Sequence, residues 1–180
     1  MRNESGLKFP TVLFAVVALF LAGCGGIEVK DMVPESTDTG GKRFEQSLKI
    51  VEPIGGQKSV FGVQDYVENE EMHGALMGAF EKANLFASVT DSGTADLELH
   101  TEIIEVAPSG GMNMTVAFVT QYWLVDPNTG EEIWRKGVNA RNEERLSETW
   151  SGAARAVKAL EGAVRDNISR LIEALASAEL

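Results

Sequence analysis

Cysteine is almost absent from this chain: 180 residues hold one, Cys24, which rules out a disulfide within the chain. A zinc site built on several thiolates goes with it. Histidine is nearly as scarce, with His73 and His100 far apart in sequence, and no spacing of histidine, cysteine and carboxylate suggests a metal centre. No metal and no cofactor is expected. Basic charge is also short, since 16 Lys and Arg face 27 Asp and Glu, a formal charge of −11. A surface of that sign repels phosphates, so nucleic acid is a poor partner and anionic headgroups offer no attraction. Long apolar runs are missing too. The longest, Thr11 to Ala22, falls short of the roughly 20 residues that cross a bilayer core.

The chain does hold that apolar run in a telling place. Arg2 and Lys8 flank its start, it is uncharged, and small residues follow it, which is the build of an export signal. It ends in Leu21-Ala22-Gly23-Cys24, which resembles the bacterial lipobox. The resemblance implies that Cys24 takes a diacylglycerol, that the leader 1–23 is removed, and that the new amine is acylated. A lone thiol exported without acylation would have no partner in an oxidising compartment. Gly25 stands where lipoproteins held at the inner membrane commonly carry Asp, so the resemblance favours the outer membrane, facing the periplasm. Loss of Arg2, Lys8 and Glu4 with the leader moves the charge to −12.

After Cys24, residues up to 42 are polar and rich in turn formers, and read as a lipidated flexible tether, 24–42. Residues 43–180 are enough for one core and read as a single domain. Phe44, Gln46, Leu48 and Ile50 alternate as a strand. Glu68 to Glu71 opens a helix at the end where carboxylates suit the dipole, and Met72, Leu76, Ala79, Phe80 and Ala83 give it one apolar side before Asn84. A short strand is expected over Leu85 to Thr90, another from Leu97 to Ile103, and a loop at Pro108 to Gly111. The longest strand, Met114 to Val125, has Met114, Val116, Phe118, Thr120, Tyr122 and Leu124 on one side. Asp126-Pro127-Asn128-Thr129-Gly130 predicts a hairpin, with Ile133 to Ala140 returning antiparallel. One long helix is predicted from about Asn142 to Leu175, with Trp150, Ala154, Val157, Leu160, Val164, Ile168, Leu171 and Leu175 as its buried stripe. Gly152 and Gly162 within it suggest close packing. The fold class is therefore α+β: an antiparallel sheet of about four to five strands with two helices on one face, the second long and C-terminal.

Asn84 to Val89, Ala95 to Leu99, and Tyr122 to Trp134 ahead of a long terminal helix are together similar to small periplasm-facing lipoproteins of the YajG type. They also resemble penicillin-binding-protein activators, the periplasmic part of the curli secretion channel, and auxiliary lipoproteins of ABC-type lipid transport. The resemblance implies a fold and brings no catalytic motif, and no channel-forming segment is recognisable here.

The remaining candidates have ordinary explanations. Glu68, Glu70, Glu71, Glu143 and Glu144 could pair for acid-base work, but helix starts account for them. Ser109-Gly110-Gly111 lacks the setting of a nucleophile elbow, and Gly55 to Ser59 lacks the spacing of a phosphate loop. Tyr122, Trp123 and Trp134 are the candidate partner-binding residues, because two tryptophans on one exposed sheet face would form an aromatic patch, with core packing as the competing role. The expectation is a non-enzymatic protein held on the membrane by its N-terminal lipid and binding an envelope protein or the cell wall, with a free sheet edge as a further contact. The alternative is an auxiliary lipoprotein of envelope lipid transport, which needs an apolar groove between the long helix and the sheet. A third possibility, an enzyme using scattered carboxylates on wall or glycan, is answered by scanning Asp and Glu.

Overall fold

The computed structural model describes residues 26–57 and 66–180. The leader 1–23, Cys24, Gly25 and the stretch 58–65, with Lys58 and Ser59, lie outside the described residues. Along the chain run α1 (Val29–Met32), β1 (Ser47–Ile50), α2 (Asn69–Ala83), β2 (Ser88–Thr90), β3 (Leu97–Gly110), β4 (Met114–Asp126), β5 (Glu131–Glu144) and α3 (Gly152–Ala176). The strands form one sheet in the order β2-β1-β3-β4-β5. The fold is α+β, as its element order predicts.

Local chemistry sets the bounds of the elements. Glu71 reaches back to accept from the Glu68 N–H at 2.9 Å, which fixes the start of α2. Asn84 ends it in the left-handed region at φ 50°, a conformation that asparagine tolerates, and its N–H bonds the Phe80 carbonyl. The β4–β5 turn holds Gly130 at φ 73°, and Asp126 Oδ1 accepts from the Asn128 N–H at 2.8 Å. Asp96 closes the passage from β2 to β3: its carboxylate accepts from the N–H and the hydroxyl of Ser47, at 2.8 and 2.7 Å.

The three long strands β3, β4 and β5 are antiparallel, but β1 pairs parallel with both β2 and β3. The pairing with β2 follows from α2, which carries the chain across the sheet and returns it in the same direction. Strand β3 also runs through the expected loop, because Pro108 pairs with Val116 and Gly110 with Met114. The terminal helix starts at Gly152, later than expected, since Asn142 to Glu144 extend β5. Trp150 therefore leaves the predicted stripe and is 87% exposed, while Leu160, Val164, Ile168, Leu171 and Leu175 are buried as predicted. The packing expected at the helix glycines holds at Gly162, where a Cβ would sit 2.2 Å from Asn142 Nδ2, and not at Gly152.

The inward series of β4 is the one beginning at Val116, with Phe118, Thr120, Tyr122 and Leu124 all buried beneath the helices. Leu48, Ile50, Leu97 and Leu99 continue that floor under α2. Among the described residues nothing covers the opposite sheet face.

The segment 26–42, read from sequence as a tether, is packed in the structure. Met32 is fully buried, and Ile27 and Val33 lie against the core. Gly74 and Gly78 of α2, one turn apart, have no side chains to keep Val29 and Val33 away: a Cβ on either would lie 3.1 Å from a valine methyl. Helix α3 holds the other side, with Glu161 accepting from the Glu28 N–H at 2.9 Å and Arg165 donating to the Asp31 carbonyl at 2.7 Å. Lys82 Nζ donates to the Pro34 carbonyl at 3.0 Å, and Lys42 Nζ to that of Ala178. Four apolar residues, Ile27, Val29, Met32 and Val33, carry this docking, too few to show as a sustained period in sequence.

Candidate functional site

Strand alternation sends every second side chain of β3, β4 and β5 to the uncovered face. Cross-strand register then lines them up. His100, Trp123 and Arg135 stand in one row, since Trp123 pairs with both of the others. The His100 ring stacks on the indole with centroids 5.4 Å apart and planes 11° from parallel, and the Arg135 guanidinium carbon lies 4.9 Å from the indole centre. Trp123 is thus held between two flat groups and is half-buried.

Carboxylates frame this row. Glu98 accepts from Lys49 Nζ at 2.9 Å and lies 3.6 Å from His100 Nε2. Arg135 Nε donates to Glu132 at 2.7 Å, and a second bond runs from its Nη2 to the other carboxylate oxygen. That fork of donors holds the Glu132 carboxyl below the ordinary glutamate range and raises Arg135. Glu102, Gln121 and Gly137 form the next row. The surface is mixed in charge, with the Trp123 indole and the His100 ring stacked in one row beside Arg135.

The other two candidates lie elsewhere. In this hairpin Leu124 pairs with Trp134 and Trp123 with Arg135, so the two tryptophans point to opposite faces. Trp134 packs against the core, and the shared aromatic patch does not form. Tyr122 is fully buried, out of reach of any partner on the open face. Its hydroxyl donates to Asn167 Oδ1 at 2.6 Å, burial pushes the phenol well above its ordinary value, and Thr120 donates to the same oxygen at 2.8 Å. Asn167 Nδ2 donates to the carbonyls of Phe118 and Val138, both at 3.2 Å. This amide is the polar rivet between α3 and the sheet. Sequence reading missed it because Asn167 sits in an otherwise polar-looking stretch of the helix.

His73 and His100 do not meet. His73 Nε2 lies 3.1 Å from the Ile50 carbonyl, beside α2, while His100 is on the uncovered face. Among the described residues no group of three histidines, cysteines or carboxylates could hold a metal ion. None of the described helices is long and apolar enough to cross a membrane. The space between α3 and the sheet, where a lipid groove would have to lie, is filled by Leu160, Val164, Ile168, Phe118 and the Asn167 rivet. Two apolar side chains stand out at one end instead: Trp150 just before α3, and Met112 at the β3–β4 turn, 74% exposed.

No protein-family profile matches the sequence, and no curated protein sequence matches it. Solved structures do share its fold. A Xanthomonas campestris protein of the family DUF330 superposes with a TM-score of 0.62 at 13% identity, covering 79% of this chain and 91% of that one. A hypothetical protein from Chlamydia trachomatis gives 0.51 at 11% identity, over 75% and 99% of the two chains. A minor lipoprotein from Acinetobacter baumannii gives 0.43 at 8% identity over 75% and 93% of the two chains.

Proposed function

We propose that this chain is a non-enzymatic bacterial lipoprotein, anchored through Cys24 in the outer membrane and facing the periplasm, whose domain binds another envelope component. The lipobox Leu21-Ala22-Gly23-Cys24 supports the anchor. The binding role rests on the uncovered face, where Trp123 is clamped between His100 and Arg135 on a sheet whose edge strand β5 has no strand beyond it among the described residues. A polar face with an aromatic side chain packed between His100 and Arg135 suits a protein or a wall glycan, and the long edge suits an added strand.

Two measurements test the two halves. Labelled palmitate should enter the wild-type polypeptide and not a C24A variant; equal labelling of both removes the anchor. Photocrosslinkers placed at Gln121 and Arg141 in intact cells should capture one discrete envelope component, and a W123A variant should lose it. Capture from the helix layer alone, or capture untouched by W123A, removes the binding face. The resemblance to lipid-transport auxiliaries gains nothing from the filled space under α3, and lipid extracted from purified protein would reopen it.

A further inference from the structure

We propose that the domain stands end-on at the bilayer, with Trp150 and Met112 in the headgroup region beside the lipidated Cys24. This rests on Cys24 being the acylated residue. The docked segment 27–42 gives the geometry. It runs alongside α3 in the same direction: Glu28 meets Glu161, Asp31 meets Arg165 and Lys42 meets Ala178. Followed backwards from Glu28, the chain is therefore heading for the N-terminal end of α3. The ten residues from Glu161 back to Ser151 span about 15 Å of helix at 1.5 Å each. The four steps from Glu28 back to Cys24 reach about 14 Å at full extension. The lipid is thus confined to within a short radius of the docked strap, and the nearest end of the molecule it can share is the one where α3 begins.

That end carries the two most exposed large apolar side chains among the described residues, Trp150 at 87% and Met112 at 74%. They belong to loops that are tied together. Asn113, next to Met112, donates to Glu143 at 3.0 Å and accepts from the Leu146 N–H at 3.4 Å, and Arg155 donates to the carbonyls of Thr149 and Trp150 at 2.8 and 2.9 Å. Tryptophan beside a polar backbone is the side chain best suited to the membrane interface, apolar in body and able to donate from its indole N–H. The end is also mild in charge for so acidic a protein. Between Gly110 and Arg155 on these two loops, Glu143, Glu144 and Glu148 face Arg145 and Arg155, and the first turn of α3 has no acidic residue. A bilayer is accordingly the one occupant that the chain's own anchor delivers to this end, and end-on standing leaves both the open sheet face and the β5 edge free.

The chain suits a direct test, because acylation of Cys24 would leave an introduced cysteine as the only free thiol. Full-length protein carrying M112C or N128C, the latter in the β4–β5 turn at the opposite end, is acylated in cells, labelled with an environment-sensitive fluorophore and placed in phosphatidylethanolamine–phosphatidylglycerol vesicles with headgroup-quencher lipid. The expected result is strong quenching and a blue shift at 112 and little change at 128. Equal quenching at both positions, or stronger quenching at 128, overturns the proposal while palmitate labelling leaves the anchor intact. Protein that takes no palmitate brings down the anchor and this inference together. A W150S variant, on an exposed loop where folding does not depend on it, should weaken quenching at 112 without changing palmitate incorporation; unchanged quenching also counts against the proposal.

Discussion

Asn167 shows how much one residue can decide. Its amide satisfies two hydroxyls and two carbonyls in a core that water does not reach. N167A should lower the unfolding free energy by about 3 kcal/mol, because partners left buried and unpaired carry a heavier penalty than the bond is worth. Y122F should lower it by about 1 kcal/mol, since Asn167 keeps its other partners. Urea unfolding of the leaderless domain measures both, and equal losses would contradict the rivet. Glu161 is the second such residue. Burial raises its carboxyl above the ordinary value against the opposing bond from the Glu28 N–H, with Asp31 and Glu28 nearby adding to the rise. A raised carboxyl binds its proton more tightly folded than unfolded. Stability from this group is therefore full below the unfolded pKa and falls as pH rises through the raised one. E161Q keeps an acceptor for Glu28 and should flatten that decline on the alkaline side of the ordinary glutamate range; an unchanged slope in pH-dependent unfolding would sink the assignment.

Among the elements, α3 and β5 meet closely where Gly162 faces Asn142. G162A gains helix propensity of about 1 kcal/mol but drives a methyl into the Asn142 amide, and overpacking of this kind costs about 1 to 3 kcal/mol. The single variant should be no more stable than wild type. Removing the obstruction in N142A/G162A should release the propensity gain and raise stability above N142A alone. A double variant that unfolds at lower urea than N142A would show that the glycine serves something else. The same logic of absent side chains operates in α2, where Gly74 and Gly78 admit Val29 and Val33.

For the whole molecule, the domain begins with the strap and not with β1. Met32 is fully buried, and covering one such side chain is worth about 1.5 to 3 kcal/mol. A chain starting at Arg43 should thus be at least about 2 kcal/mol less stable than one starting at Gly26. Comparative urea unfolding checks this, and identical midpoints would return the segment to the role of a free tether. With Cys24 acylated as proposed, a docked strap would hold the acidic body close to the bilayer in one orientation, where a flexible linker would let it roam.

Residue order alone determined the acidic charge, the α+β class, the stripe of β4 and that of α3 from Leu160 onward, because alternation and helical period over a dozen residues leave one consistent placement of apolar groups. Asn84 and the Asp126 to Gly130 turn were legible for the same local reason, their side chains acting on their own backbone. Tertiary structure decided the rest. Parallel pairing of β1 depends on where α2 returns the chain, and the faces of Trp123 and Trp134 depend on hairpin register. The strap and the Asn167 rivet depend on groups more than a hundred and about thirty to fifty residues away. Contacts of that kind have no period to read: they exist only once two helices and a sheet have been brought within bonding distance.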